Sequence, residues 1–316
     1  MNGTAATDVL LGAGGSIAAV LAPILVARGR RVRLVSRSGR AMPGTTAVSA
    51  DLLDARAVMD AIEEGSTVFL LAGLPYQAAV WEDQWPRIMR HAIDACAARS
   101  ARLVFFDNVY LYGCVDGPMT EDTPVRPCSR KGRIRARIAD DLMSAVGAGR
   151  LKACIARAAD FYGPSATNSI PHALVFTPLA RGKRPKWLVD AFVPHSFTYV
   201  PDCGPALALL ADADDPWGQV WHLPTAAPAP TGVDFVTLAA RAFGVAPGLT
   251  VLAPWMLRLT ALLNATVRES MEMLYQYDRP YLVDSTKFER RFQLRPTPYD
   301  AGITATARTF RGDAAS

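Results

Sequence analysis

Short apolar runs alternate with longer amphipathic stretches through the first half of the chain. Asp8–Leu11, Arg31–Ser36, Thr67–Ala72, Arg102–Asp107 and Lys152–Arg157 are β-rich and nearly continuous in apolar character, so they read as strands buried on both faces. Between them, Ser16–Arg28, Ala55–Glu63, Gln84–Arg99 and Lys131–Val146 carry helical spacing. Strand–helix alternation of this kind predicts an α/β fold, a Rossmann-type doubly wound parallel sheet with right-handed crossovers. Ligands of such sheets sit at the carboxyl ends of the strands, near the point where strand order reverses.

The pattern changes after Pro164. Prolines and aromatics become frequent, and Pro224–Thr231 is a Pro/Ala-rich connection before a helix at Gly232–Phe243. A second helical run, Pro254–Tyr277, carries Trp255, Met256, Met271 and Met273 and reads as a core helix. The expected organisation is a dinucleotide-binding domain over residues 1–164 and a smaller, mainly substrate-side domain over 165–316. Gln219–Leu223 is placed to return as a last strand of the main sheet. The segment after Arg311 reads as a loose tail.

The composition narrows the class. The chain has 316 residues, half of them hydrophobic and one fifth charged, with a formal charge of +5 spread over scattered arginines. That balance does not imply a nucleic-acid partner. Its five cysteines contain no CxxC pair, which argues against a disulfide framework or zinc site and for a reducing, cytoplasmic setting. No His/carboxylate spacing suggests a metal. Val9–Ala27 is apolar, but Gly12, Gly14, Gly15 and Pro23 interrupt it and no basic segment precedes it, so it reads as strand, loop and helix rather than a leader or membrane anchor.

The first strand runs into Gly12-Ala13-Gly14-Gly15-Ser16-Ile17-Ala18 and then a helix. Gly12, Gly15 and Ala18 give a G-x-x-G-x-x-G/A spacing: a tight turn, room for backbone to approach a pyrophosphate, and close helix–sheet packing. The competing reading is an ordinary glycine turn, which a position between strand and helix disfavours. After the second strand comes Ser36-Arg37-Ser38-Gly39-Arg40, with no acid for a ribose 2′-hydroxyl. Arg37 and Arg40 suit a 2′-phosphate, so NADP(H) is expected over NAD(H), against the blander reading of a solvated basic loop. Asp51 and Leu52 are placed for the adenine, and Ala72, Gly73 and Leu74 for the adenosine ribose.

These residues resemble the extended short-chain dehydrogenase/reductase family, the NAD(P)-dependent epimerase/dehydratase group. The landmarks are the glycine loop, Asp107-Asn108-Val109-Tyr110-Leu111-Tyr112-Gly113, Pro124…Pro127, Phe161-Tyr162-Gly163-Pro164 and His195–Asp202. The resemblance implies a substrate-orienting serine where this chain has Asn108, and a Tyr-x-x-x-Lys pair on the following helix. That pair does not occur in this region; Lys131 stands in the tyrosine's place and Arg135 in the lysine's. Four-residue spacing puts both on one helix face. Like-charge repulsion could make Lys131 a usable acid or base, with Arg135 on the cofactor ribose; alternatively both are solvated helix charges. Tyr110 is a second candidate acid, pointing to the same side as Tyr112 if the strand continues. By resemblance Phe161 and Gly163 lie by the nicotinamide. Tyr162, Asn168, Trp187 and His195 are the expected pocket residues, with His172 and Tyr199 near them.

The expected activity is NADP(H)-dependent hydride transfer on a small, hydrophobic carbonyl or alcohol. The alternatives are a sugar-nucleotide epimerase or dehydratase that keeps its NAD(P) tightly bound, and a non-catalytic NADP-binding regulator. A small-molecule substrate, no membrane association and a homodimer complete the expectation.

Overall fold

The computed structural model describes residues 7–312; the expected loose tail falls largely outside them. Seven strands form the main sheet: β1 (Thr7–Leu11), β2 (Arg31–Ser36), β3 (Thr46–Ser49), β4 (Thr67–Leu70), β5 (Arg102–Asn108), β6 (Ala153–Ala158) and β7 (Val220–His222). Their order is β7-β6-β5-β4-β1-β2-β3. The register pairs β1 in parallel with both β2 and β4, β2 with β3, and β4 with β5. Strand order therefore reverses between β1 and β4, and that is where a crevice for a ligand is expected. β1 is central and wholly buried, its apolar Val9–Leu11 preceded by buried Thr7 and Asp8.

The connecting helices are α1 (Ser16–Ala27), α2 (Ala55–Ala61), α3 (Ala78–Ala98) and α4 (Arg130–Gly147), followed by α5 (Val200–Asp212) before β7. α2 starts at Asp54, whose carboxylate accepts from the amides of Arg56 and Ala57. α3 begins at Ala78, earlier than the apolar spacing from Gln84 indicated. Pro86 lies inside it, but burial of Ala78, Trp81 and Trp85 carries the helix across the proline.

Contacts divide the chain into two compact units that interleave in sequence rather than parting at residue 164. The first takes the chain up to Leu111, Lys131–Arg157 and Cys203–Trp221; the second takes Tyr112–Arg130, Ala158–Asp202 and the chain from His222 onward. In the first unit α5 lies close on α1: a Cβ at Gly204 would stand 2.6 Å from the Val20 carbonyl oxygen.

The second unit is built on an aromatic core of Tyr162, Phe176, Trp187, Phe197, Phe235 and Tyr299. It contains α6 (Gly232–Phe243) and α7 (Tyr299–Phe310). α6 opens with a reciprocal Thr231/Asp234 cap and closes at Gly244, which has left-handed backbone. The helical run expected over Pro254–Tyr277 is broken into Pro254–Leu263, Ala265–Ser270 and a 3₁₀ stretch at Met271–Gln276. Asn264 makes the break, because its side chain accepts from Val267 N–H and starts a new helix instead of continuing the old one. Nor is the first piece a core helix throughout: Trp255, Leu259, Leu262 and Leu263 are exposed. Among the described residues no helix is long and apolar enough to cross a membrane, and no cluster of His, Cys, Asp and Glu could hold a metal.

Candidate active site

The glycine turn sits at the end of β1. Gly12 has φ +88°, a conformation that costs an L side chain, and a Cβ there would lie 2.5 Å from Ala72 Cα. The amides of Gly12 and Ala13 both donate to the Val35 carbonyl at 3.0 Å. The ends of β1 and β2 and the loop after β4 are thereby stitched together. On the other side the turn is open: around Gly14 and Gly15 a Cβ would meet nothing within 4 Å. Gly15 precedes α1 with no side-chain cap, and no acid stands in the first turn. The first amides of α1 and its positive end are thus left for an anion. This open cradle fits a dinucleotide diphosphate, with Gly14, Gly15, Ser16 and Ile17 as the backbone that would hold it. Ala72, Gly73 and Leu74 line the loop after β4, and Gly73 likewise has open space where a side chain would be.

At the tip of β2, Arg37 and Arg40 are exposed, and the turn between them is shaped by Gly39 at φ +57°. Asp51 is exposed, and its carboxylate accepts from Leu53 N–H within its own turn; the Leu52 carbonyl meets His91 Nδ1 at 2.9 Å.

The cationic pair of α4 is not a solvated face. Lys131 is fully buried and Arg135 nearly so. Lys131 Nζ stands 4.6 Å from the ring centre of Tyr76. The Arg135 guanidinium stands 4.1 Å from Trp85 and 4.8 Å from Trp81. Tyr76, Trp81, Trp85 and Phe105 follow one another edge to face, at 5.6–6.3 Å between centres. Cation–π contact contributes to holding these two buried cations in the helix. Asp107, at the end of β5, lies between Arg135 (3.3 Å) and Arg157 (3.5 Å). Burial pulls the Arg135 guanidinium below its ordinary range, and Asp107 opposes that pull. The contacts of Arg135 are therefore with aromatic rings and Asp107, an environment that the ribose-holding expectation did not include.

β5 ends at Asn108, and Tyr110–Tyr112 is a 3₁₀ turn. The alternation expected for Tyr110 and Tyr112 does not arise, because the strand stops when Asn108 Oδ1 accepts from Tyr110 N–H. Its carbonyl oxygen being so used, Asn108 has its amide N–H groups to offer a substrate oxygen. Tyr110 is half-buried against the core of the first unit. Tyr112 is buried, its hydroxyl 2.8 Å from His222 Nε2.

In the second unit, three expected pocket residues are core. Tyr162 is buried and stacks on Tyr299, with its ring over Gly302. Trp187 packs over Gly232 and against Phe197 and Phe235. His195 lies between the rings of Phe197 and Tyr277, its Nδ1 3.0 Å from the Gln276 carbonyl and its Nε2 3.2 Å from Asp160. A histidine satisfied on both nitrogens inside an aromatic stack is structural. Asn168 is exposed; His172 is half-buried against Phe310, and burial lowers its basicity. Phe161 is half-buried, while Gly163, at φ +138°, is packed on Tyr199 and Pro201. Tyr76 was missed in the sequence because it falls in a loop, outside any periodic element. Its only signal was an aromatic ring shortly after the Ala72-Gly73-Leu74 stretch.

A profile of the NAD dependent epimerase/dehydratase family matches residues 9–221. The chain belongs to that family. The match spans the glycine turn, the Asp107–Gly113 segment and α4. Among solved structures, this family member is similar to MoeE5 in complex with UDP-glucose and NAD, at 23% identity and TM-score 0.79, over 98% of this chain and 100% of that one. It is also similar to UDP-glucose 4-epimerase from Thermus thermophilus in complex with NAD, at 19% identity and TM-score 0.76, over 98% and 100% of the two chains. The dTDP-glucose 4,6-dehydratase from Bacillus anthracis str. Ames, in complex with NAD, is 14% identical at TM-score 0.79 over 98% and 97%. A search of curated proteins finds no match.

Proposed function

We propose that this epimerase/dehydratase family member binds a nicotinamide dinucleotide at the Gly12–Ala18 turn and uses it on a sugar nucleotide, by reversible hydride exchange at a carbinol carbon. The observation that carries the reading is the open, uncapped start of α1 at the reversal point of the sheet. When bound, the dinucleotide supplies the hydride acceptor. The chain's own backbone holds the diphosphate, and Asn108 presents amide donors to the substrate oxygen. Sugar nucleotides are favoured over a small hydrophobic carbonyl for two reasons. The similar structures are named for UDP- and dTDP-sugars. Tyr162 and Trp187, two of the residues expected in the pocket, are buried in the aromatic core and leave no apolar wall for such a substrate from their rings.

Within this reading the cofactor is NADP(H). The similar structures named above hold NAD, but the β2 tip here offers Arg37 and Arg40 and no acid. Calorimetry with NAD⁺ and NADP⁺ tests both levels. The Arg37→Ala/Arg40→Ala double variant is expected to weaken NADP⁺ by about tenfold to a hundredfold, the worth of one charge-assisted hydrogen bond, and to leave NAD⁺ unchanged. Absence of binding by either dinucleotide removes the whole reading. Tight binding with no hydride exchange towards UDP-glucose or dTDP-glucose turns it toward a regulator.

A further inference from the structure

Four observations, all within the first unit, converge on Tyr76. Its loop is the one whose Ala72 occupies the space beside Gly12, so Tyr76 follows the dinucleotide turn's own wall by four residues. Its ring lies 4.6 Å from Lys131 Nζ, and Lys131 is wholly enclosed. Its phenol, like that of Tyr110, acts electrostatically on Arg135. Its backbone is pinned, since the Pro75 carbonyl accepts from both Gln77 N–H (2.7 Å) and Trp81 Nε1 (3.0 Å). Two buried cations next to a phenol act on it in the sense that favours the phenolate, and its partial burial acts in the opposite sense.

We propose that Tyr76 is the catalytic acid/base, with Lys131 as its electrostatic partner: a tyrosine–lysine couple whose halves come from different elements, the phenol from the loop after β4 and the ammonium from α4. This rests on the dinucleotide-dependent reading above. In the oxidative direction the substrate O–H bond breaks and its proton forms the Tyr76 O–H bond, while the hydride from the same carbon goes to the oxidised dinucleotide. The reverse step returns both. Asn108 orients the oxygen, and Arg135, held by Trp81, Trp85 and Asp107, positions α4 so that Lys131 meets the ring. This arrangement explains why α4 can carry Lys131 where the family resemblance implies a tyrosine: the cation has kept its purpose and the phenol has moved.

The charged groups that act on Tyr76 are Lys131, beside its ring, and Arg135, both from α4; Asp107 and Tyr110 act in turn on Arg135. A tyrosinate absorbance titration of the full chain, without ligand, reads their effect directly. One of the nine tyrosines is expected to ionise below the ordinary phenol value of about 10. That ionisation should vanish in Tyr76→Phe, persist in Tyr110→Phe, and move up to the ordinary phenol value or above it in Lys131→Met. Lys131→Gln is carried alongside in case the methionine variant does not fold. With UDP-glucose and NADP⁺ or NAD⁺, Tyr76→Phe should lose about a hundredfold or more of the hydride-exchange rate, with dinucleotide affinity unchanged by calorimetry. Disappearance of the early ionisation in Tyr110→Phe instead, its persistence in Tyr76→Phe, or full exchange in Tyr76→Phe overturns the assignment. Unchanged dinucleotide binding in any of those cases leaves the functional reading standing. A wild type that binds no dinucleotide overturns the functional reading, and with it the catalytic assignment.

Discussion

A single methyl group at position 12 meets two obstacles. It would lie 2.5 Å from the Cα of Ala72, and its residue would have to hold φ +88°. Gly12→Ala is therefore expected to destabilise the protein by about 2 kcal/mol or more and to abolish dinucleotide binding, as read by urea unfolding and calorimetry. Gly15→Ala has open space and ordinary φ, so its fold should survive. The glycine turn was legible in the sequence because the constraint is local: a strand, a reversal and a helix start within ten residues dictate what can stand there. Tyr162, Trp187 and His195 were not legible in the same way. Their residue types suit a pocket and a core equally well, and only packing on Gly302, Gly232 and the rings of Phe197 and Tyr277 decides it.

At the scale of elements, α4 is fastened to α3 by the Arg135 guanidinium on the faces of Trp81 and Trp85. Removing the guanidinium in Arg135→Ala leaves Trp81 and Trp85 without their cation and takes one of two arginines from buried Asp107. A loss of about 3 kcal/mol in urea unfolding is expected, in the range for breaking a buried pair. Arg135→Lys should recover only part of it, since an ammonium cannot stack as a planar group does. The start of β1 gives a pH signature. Asp8 is buried, and burial outweighs its pairing with Arg30, raising its pKa to about 6. The folded state thus holds that proton more tightly than the unfolded chain. Its contribution is complete below the ordinary carboxylate value of 3.8 and is lost as pH rises through about 6. Unfolding free energies of wild type and Asp8→Asn should diverge across that window by up to about 3 kcal/mol, the wild type gaining toward the acid side. The strands and helices of the first half were legible because their apolar periods match their burial. In the second half the helix at Gly232–Phe243 and the returning strand at Val220–His222 were legible, but strand pairs such as Asp160–Tyr162 with Phe197–Tyr199 are three residues long, too short for a period, and Asn264 breaks a run that apolar spacing alone would continue.

At the scale of the molecule, the single boundary expected after residue 164 gives way to units that exchange the chain five times, at 111/112, 130/131, 157/158, 202/203 and 221/222. The first unit needs its late segment: Asp212 pairs with Arg28 and Arg30, and β7 borders β6. A fragment of residues 1–164 is accordingly expected to show no cooperative thermal transition by circular dichroism, while the full chain shows one.

The interleaving also limits how such a protein can be remade. A graft of one relative's second unit onto another's first unit, spliced at one seam, would leave each unit with pieces of the wrong parent. A working chimaera has to be cut at all five passages, so new specificity is reached more readily by changing side chains in place than by trading halves.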